Sequence, residues 1–258
     1  LVIAGDSRNP SSEVFNELAG NDHSAVFILS DEKLNHEFRP YRNQSVVLRN
    51  YFQPGWSSGV VYTLPLGINS ELVGLRQKLD QRETDLFSWS FVGEIKQNRS
   101  AMLEIFRPIG PNRLSEAKRF NDPQGLRGSE LFDLYSQSSF VLCPFGNRSP
   151  DSFRTMEALE AGAIPVTVRF LGTDHNRLIF GDHPFVVGDD WNHARSLVEE
   201  LLADRGELKS RKAAVREWYR DYLADLEADL ADIVAGKGRA NLRSRQFGYQ
   251  RRASRNPL

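Results

Sequence analysis

The residues best suited to chemistry lie in one stretch, residues 135–166, which reads YSQSSFVLCPFGNRSPDSFRTMEALEAGAIPV. Its pattern predicts a buried strand ending at Cys143, a loop containing Gly146, and a helix that Asp151 or Ser152 caps. In open parallel sheets, ligands bind beyond the carboxyl ends of the strands, where the N–H groups that begin the next helix attract anions. The stretch therefore predicts an anion site at the start of this helix.

Two charged side chains of the same helix indicate which class of ligand the site would bind. Arg154, in the first turn, supplies a cation whose two parallel donors match a phosphate group. Glu157, about one turn further on, has a carboxylate that can accept hydrogen bonds from ribose hydroxyls. Together they predict a holder for a nucleoside diphosphate. The alternative is a plain capped helix with an arginine and a glutamate on its surface.

A second loop, SFVGEIKQNR at residues 90–99, has a similar layout. A strand ends at Gly93, which lets the backbone approach a ligand closely, and Lys96 and Arg99 open the next helix. The basic pair can meet the same diphosphate if both loops leave the same edge of one parallel sheet. A single glycine–arginine loop is also an ordinary connection between a strand and a helix.

The elements that must position these loops alternate along the chain as short apolar strands and amphipathic helices, which is typical of α/β architecture. The strands of the second half are apolar throughout, and this favours a parallel sheet covered on both faces. Pro165 predicts a position at the start of its strand or at the sheet edge. The predicted strands are 1–4, 25–29, 45–48, 60–64, 87–92, 139–142, 164–168 and 184–187, and the predicted helices are 70–81, 99–106, 129–138, 152–161 and 207–234.

The blocks FVGEIKQNR, YSQSSFVLCPFG and DSFRTMEALEAGAIPV, in this order, resemble exostosin-type glycosyltransferases, family 47. The segments LRNYF (48–52) and LPLG (64–67) look like the N-terminal half of that family, so the resemblance covers roughly residues 25–168. It implies a GT-B fold, in which two Rossmann-like α/β halves with parallel sheets hold a sugar nucleotide between them. It also implies inverting sugar transfer from a UDP- or GDP-sugar to a hydroxyl acceptor without a cofactor or an essential metal.

The resemblance assigns roles by position. Gly93, Arg99, Ser152 and Arg154 would face the diphosphate, and Glu157 would hold the ribose. Many animal members also carry a membrane anchor and paired cysteines, whereas this sequence has a single Cys and no apolar run of the roughly 18–20 residues that cross a bilayer.

Two other groups of sugar transferases fit the sequence less well. Retaining GT-B enzymes use two glutamates eight positions apart, and the position eight before Glu157 is Ser149. The metal-dependent class needs an Asp-x-Asp motif, which the sequence lacks, and its five histidines show no metal-ligand spacing. We therefore predict no metal site.

An inverting transferase needs a base that takes the proton of the acceptor hydroxyl. We expect it on the N-terminal, acceptor-side half, and the candidates are Asp31, Glu32 and Asp6, which follow strand ends. Residues in such positions are more often ordinary turn or helix-cap residues. Arg49 and Tyr51 either line the acceptor side or pack inward at a strand end.

These assignments divide the chain into an acceptor-side half at residues 1–82, a nucleotide-sugar-binding half at 83–206, a closing helix at 207–235 and a basic tail at 236–258. The first half is short for a complete Rossmann-like domain. Of 258 residues, 40% are apolar and 26% charged, as in ordinary globular proteins. The tail has seven basic and no acidic residues, although the net charge of the chain is −1.

The tail is either a solvated extension or a tether to an anionic membrane surface or polyanionic acceptor. Nucleic-acid binding is disfavoured, because only Phe247 and Tyr249 in the tail can stack on bases. We expect a cytoplasmic location, free or peripheral to a membrane. The sequence thus predicts a glycosyltransferase of glycan or polysaccharide synthesis, and the alternative is a non-catalytic nucleotide- or glycan-binding module on the same fold.

Overall fold

A computed structural model describes residues 2–4, 25–29, 32, 46–51, 61–81, 85–96, 99–119, 122–147 and 149–235 of the chain. Four short strands form a first sheet in which every neighbouring pair is parallel and the strand order follows the chain. They are β1 (Val2–Ala4), β2 (Ala25–Ile28), β3 (Val46–Arg49) and β4 (Val61–Thr63). The basic tail at 236–258 lies outside the described residues.

The helix predicted over residues 70–81 is instead two 3-10 helices, Ser70–Leu72 and Leu75–Gln81. Asn69 caps the first of them by accepting a backbone N–H at 3.1 Å. Gly74, between the two, has a φ of +81°. This left-handed conformation interrupts the helical backbone, which is why the prediction of one continuous helix was wrong.

The second sheet has five parallel strands in the order β6-β5-β7-β8-β9. Two of its inner strands, β7 and β8, are buried on both faces, as their apolar sequences predict. The strands are β5 (Phe87–Gly93), β6 (Asn112–Glu116), β7 (Ser138–Leu142), β8 (Ile164–Val168) and β9 (Val186–Gly188), and the helices are α1 (Arg99–Phe106), α2 (Gly128–Ser136), α3 (Phe153–Glu160), α4 (His175–Phe180), α5 (Trp191–Ala203) and α6 (Arg205–Val234).

Three of these elements, β6, α4 and α5, are missing from the sequence-based prediction. β6 reads NRLSE and lies at the sheet edge, so it lacks the apolar run that marks a buried strand. α4 has only 6 residues. Pro165 is the second residue of β8, an inner strand, so the alternative of an edge position was wrong and the alternative of a strand start is confirmed.

The order of the second sheet creates a switch point between β5 and β7. From β5 the chain passes to β6 on one side, and it then returns to β7 on the other side. The connections after these two adjacent strands therefore turn away from each other and leave a crevice beyond their carboxyl ends. The two loops that the sequence singles out, after Gly93 and after Cys143, border this crevice.

The 30-residue helix α6 packs against both sheets. Its first part buries Val215, Tyr219 and Tyr222 in the core of the second sheet. Its last part buries Ile233 against Val46, Leu48 and Tyr62 of the first sheet. At about 1.5 Å per residue the helix is about 45 Å long, enough to hold both sheets together. No helix in the described part of the chain is long and apolar enough to cross a membrane.

A network of hydrogen bonds and one ion pair connects α6 to the amino ends of β5 and β7. The Lys212 ammonium on α6 forms an ion pair with Asp85 and donates to the Ser138 carbonyl at 3.3 Å. The Asp85 carboxylate also accepts the Ser139 hydroxyl at 2.7 Å. Burial lowers the pKa of Lys212, whereas Asp85 raises it, so the carboxylate offsets much of the cost of desolvating this cation.

We predict that Asp85→Ala lowers the free energy of unfolding by about 2–3 kcal/mol, because it leaves a largely buried ammonium group without its counter-ion. Urea denaturation measures the change. Asp221→Ala is the matched control, since Asp221 pairs with Arg220 on the exposed side of the same helix and its loss should have no measurable effect. Equal behaviour of the two variants would contradict a stabilising role for the network.

Candidate functional site

The Arg154 side chain joins the start of α3 to the end of β5. Its Nε donates to the Val92 carbonyl at 2.6 Å, and its Nη1 donates to the Ser152 hydroxyl at 3.4 Å. The guanidinium also lies over the Phe91 ring, with Cζ 4.9 Å from the ring centroid, a cation–π arrangement. These contacts hold the cation at the β5–β7 switch point.

Gly93 provides the space for this cation. A Cβ at this position would lie 1.9 Å from Nη2 of Arg154. The φ of Gly93 is +146°, a conformation that residues with a side chain rarely adopt. Steric space and backbone conformation therefore both require glycine next to the Arg154 guanidinium.

Arg99 is the first residue of α1, and its side chain is buried between the same two loops. Its Nη1 donates to the Glu94 carbonyl and its Nη2 to the Phe145 carbonyl, both at 2.9 Å. Its Nε is buried and has no hydrogen-bond partner in the described part of the chain. Lys96, in the same loop, pairs with the Glu94 carboxylate at 2.6 Å.

The two guanidinium groups are close enough to affect each other. The pKa of Arg99 is lowered to about 10, first by burial and then by the charge of Arg154, whereas Glu94 and Glu32 raise it. Two poorly solvated cations repel each other unless an anion lies between or beside them. Glu94 and Glu32 supply part of that negative charge, and a bound anion would stabilise the two cations further.

Glu157 lies one turn after Arg154 on α3 and is half-buried. Burial raises the pKa of its carboxyl, and the charge of Arg154 lowers it by less. A partly buried carboxylate is stabilised by a hydrogen-bond donor that takes the place of the water it has lost. A ligand hydroxyl next to the anion site would supply one.

The first sheet contributes Glu32, which follows β2. Its Oε1 accepts the N–H of Ser149 at 3.4 Å and lies 2.9 Å from the position of a Cβ on Gly146. The absence of a side chain at Gly146 thus permits close approach of a carboxylate from the other half of the protein. Asp31 and Asp6, the other two candidate bases, lie outside the described residues.

Arg49 and Tyr51 are both buried at the end of β3. Arg49 Nε donates to the Asn50 carbonyl at 3.2 Å. Tyr51 has a positive φ of 65°. Their burial agrees with the second of the two alternatives, inward packing at a strand end, and contact of either residue with an acceptor stays a prediction.

Sequence reasoning missed one pair in this region. Of the two predicted caps, Asp151 and Ser152, the N-cap of α3 is Ser152. The Asp151 carboxylate instead contacts His175, with 2.6 Å between Oδ1 and Nε2. Within the described chain the Ser152 hydroxyl caps no amide of α3. The two partners are 24 positions apart on different loops, so only the pairing of β7 with β8 brings them together. No three His, Cys, Asp or Glu side chains of the described residues are grouped so that they could hold a metal ion.

Comparisons with known proteins support the fold. No protein-family model matches the chain, and no curated protein matches it. Among solved structures, the chain is similar to the crystal structure of an α1,3-fucosyltransferase, with a TM-score of 0.52 and 11% sequence identity over 94% of this chain and 79% of that one. Similarity at this level of identity concerns the fold alone. The predicted GT-B-like α/β fold is thereby confirmed, whereas the resemblance to family 47 in particular stays a prediction.

Proposed function

We propose that this protein is a glycosyltransferase that moves a sugar from a nucleotide sugar to a hydroxyl acceptor. The observation that carries the proposal is the pair of guanidinium groups of Arg99 and Arg154 at the β5–β7 switch point. A diphosphate bound there would neutralise both cations, and the starts of α1 and α3 would add the partial positive charge of helix N-termini.

The same groups fit the chemistry of transfer. When the acceptor oxygen attacks the anomeric carbon, the bond from that carbon to the diphosphate oxygen breaks, and negative charge grows on the leaving group. Arginines fixed in advance by backbone carbonyls stabilise that charge without having to reorient. In this proposal no metal is needed, the attack comes from the opposite face of the sugar, and the configuration inverts.

We assign two carboxylates to the remaining tasks. Glu157 would accept hydrogen bonds from the ribose of a UDP- or GDP-sugar. Glu32 would take the proton of the acceptor hydroxyl, since it approaches the β7–α3 loop from the first half of the protein. The acceptor would be a glycan or another hydroxyl compound, as in family-47 enzymes of polysaccharide synthesis.

A non-catalytic binding module is the second candidate. The hydrogen bond from the Ser149 amide to Glu32 favours this candidate, because it gives the Glu32 carboxylate a structural role that requires no proton transfer. Such a module would bind the nucleotide or the glycan without any transfer.

The first prediction from this proposal is that UDP or GDP raises the melting temperature and binds in calorimetry with the same affinity in EDTA as in Mg²⁺ or Mn²⁺. A specific ligand stabilises the folded state by mass action. Uridine and guanosine, which lack the diphosphate, serve as the comparison and should bind much more weakly. Loss of binding in EDTA would contradict the metal-free site, and lack of any nucleotide binding would contradict the proposed function.

A second prediction separates the enzyme from the binding module. Glu32→Gln keeps a carbonyl oxygen for the Ser149 amide but cannot accept a proton, so transfer should fall by about 10²–10⁴-fold. Nucleoside diphosphate affinity should stay within about threefold of wild type, since less than about 0.7 kcal/mol is then lost. Undiminished transfer would exclude Glu32 as the base, and a wild-type protein that binds but never transfers would favour the module.

A third prediction separates the diphosphate contact from the ribose contact. Gly93→Ala places a methyl group against Arg154 and should weaken diphosphate binding by about 1.5–3 kcal/mol, the range for hydrogen bonds to charged groups, with little change for the nucleoside. Glu157→Gln should weaken nucleoside and nucleotide alike by about 1 kcal/mol. Calorimetric titration of both ligands against both variants measures the difference.

Two controls accompany these titrations. Gly74→Ala introduces a side chain at a positive φ of 81° into open space, so it reproduces the backbone strain without touching the site. Because the folded-state pKa of Glu157 is raised, its charge disfavours folding at pH 7, and Glu157→Gln should not lower the free energy of unfolding. Full affinity in folded Gly93→Ala and Glu157→Gln proteins would place the donor elsewhere.

A further inference from the structure

A buried carboxylate–imidazole pair, Asp151 with His175, has no part in the chemistry described above. Asp151 Oδ1 and His175 Nε2 are 2.6 Å apart, and the two side chains are only 4% and 10% exposed. Asp151 lies in the loop between β7 and α3, and His175 is the first residue of α4, after β8. The pair therefore connects the loops that follow two adjacent strands.

Asp151 is also linked to the residues that shape the proposed donor site. Its N–H donates to the Ser149 hydroxyl at 3.2 Å, and its carbonyl oxygen lies 2.7 Å from the position of a Cβ on Gly146. The Ser149 amide in turn donates to Glu32. Movement of Asp151 would displace Gly146, Ser149 and Ser152, including the Ser152 hydroxyl that Arg154 contacts.

The Asp151 carboxylate is held by its bond to His175. The second oxygen of Asp151, Oδ2, is buried and has no hydrogen-bond partner in the described part of the chain. A buried carboxylate that loses its only strong side-chain partner pays the cost of desolvation without compensation, so it moves toward water or toward another donor. Without the imidazole, Asp151 would be expected to leave its place and to carry the loop with it.

We propose that Asp151 and His175 are a positioning pair that holds the β7–α3 loop in the arrangement that binds the diphosphate. The role rests on the proposed function, because the bound diphosphate is the ligand that this arrangement serves. His175 acts through Asp151 and the loop, and it touches neither donor nor acceptor.

The test compares His175→Ala with His175→Gln, whose side-chain amide can still donate to Asp151. In His175→Ala we expect the Kd of UDP or GDP and the KM of the nucleotide sugar to rise about tenfold, which corresponds to the loss of about one hydrogen bond to the diphosphate. The kcat should change less than about threefold. The nucleoside should bind as before, and His175→Gln should recover most of the affinity. His193→Ala is the matched control, because His193 forms an exposed pair with Asp189 at 3.2 Å and lies on α5, outside the β7–α3 loop.

Hydrogen exchange provides a readout that does not depend on activity. The Ser149 and Asp151 amides donate to Glu32 and to the Ser149 hydroxyl, and their exchange should become faster in His175→Ala than in wild type or His193→Ala. If His175→Ala does not fold, His175→Leu replaces it, since it also lacks a donor for Asp151 but fills more of the space, and the same loss of diphosphate affinity is expected.

The outcomes separate the two proposals. A wild-type protein that binds no nucleoside diphosphate overturns the proposed function, whatever the exchange rates show. Wild-type binding together with unchanged diphosphate affinity and unchanged exchange in folded His175→Ala overturns the positioning role alone. An equal loss for nucleoside and diphosphate, with no recovery in His175→Gln, also overturns it, because general loosening of the fold would then explain the effect.

Discussion

The candidate site depends on the hydrogen bond from Arg154 to the carbonyl of Val92, which connects the start of α3 to the end of β5. This contact exists only because β5 and β7 are neighbours in the sheet. Adjacent strands lie about 4.8 Å apart, so one intervening strand would move the Val92 carbonyl to about 10 Å from the α3 side of the crevice. An arginine side chain could not span that gap and still hold its guanidinium beside a glycine.

The second consequence of this arrangement is electrostatic. Arg99 and Arg154 lie at the same sheet edge, and much of their hydrogen bonding goes to backbone carbonyls, which fix the guanidinium groups but carry no charge. Burial first, and then the charge of Arg154, lowers the pKa of Arg99. Burial raises the pKa of the Glu157 carboxyl, so its charged form is also disfavoured. Ligand sites commonly lower the stability of the protein when the ligand is absent, and contacts elsewhere in the structure must compensate for that loss.

Helix α6 and the polar network around Lys212 supply part of that stability. One end of the helix is buried in the second core and the other in the first, so the sheets are joined by a single continuous element. Glu32 makes a second link between the halves, at the level of the β7–α3 loop. The relative positions of the two halves, and so of the residues that border the crevice, therefore depend on the packing of α6 as well as on Glu32.

The sequence by itself determined the local features. The bounds of α1 and β8, the α/β pattern and the loops after Gly93 and Cys143 follow from apolar runs, caps and glycines within a few residues of each other. The tertiary structure alone decided that β6 lies outside β5, that Gly74 divides the predicted helix at 70–81, and that Asp151 meets His175 rather than capping α3. The physical reason is range: helix and strand patterns reflect neighbours along the chain, whereas strand order and buried polar pairs depend on residues that only the folded sheet brings together.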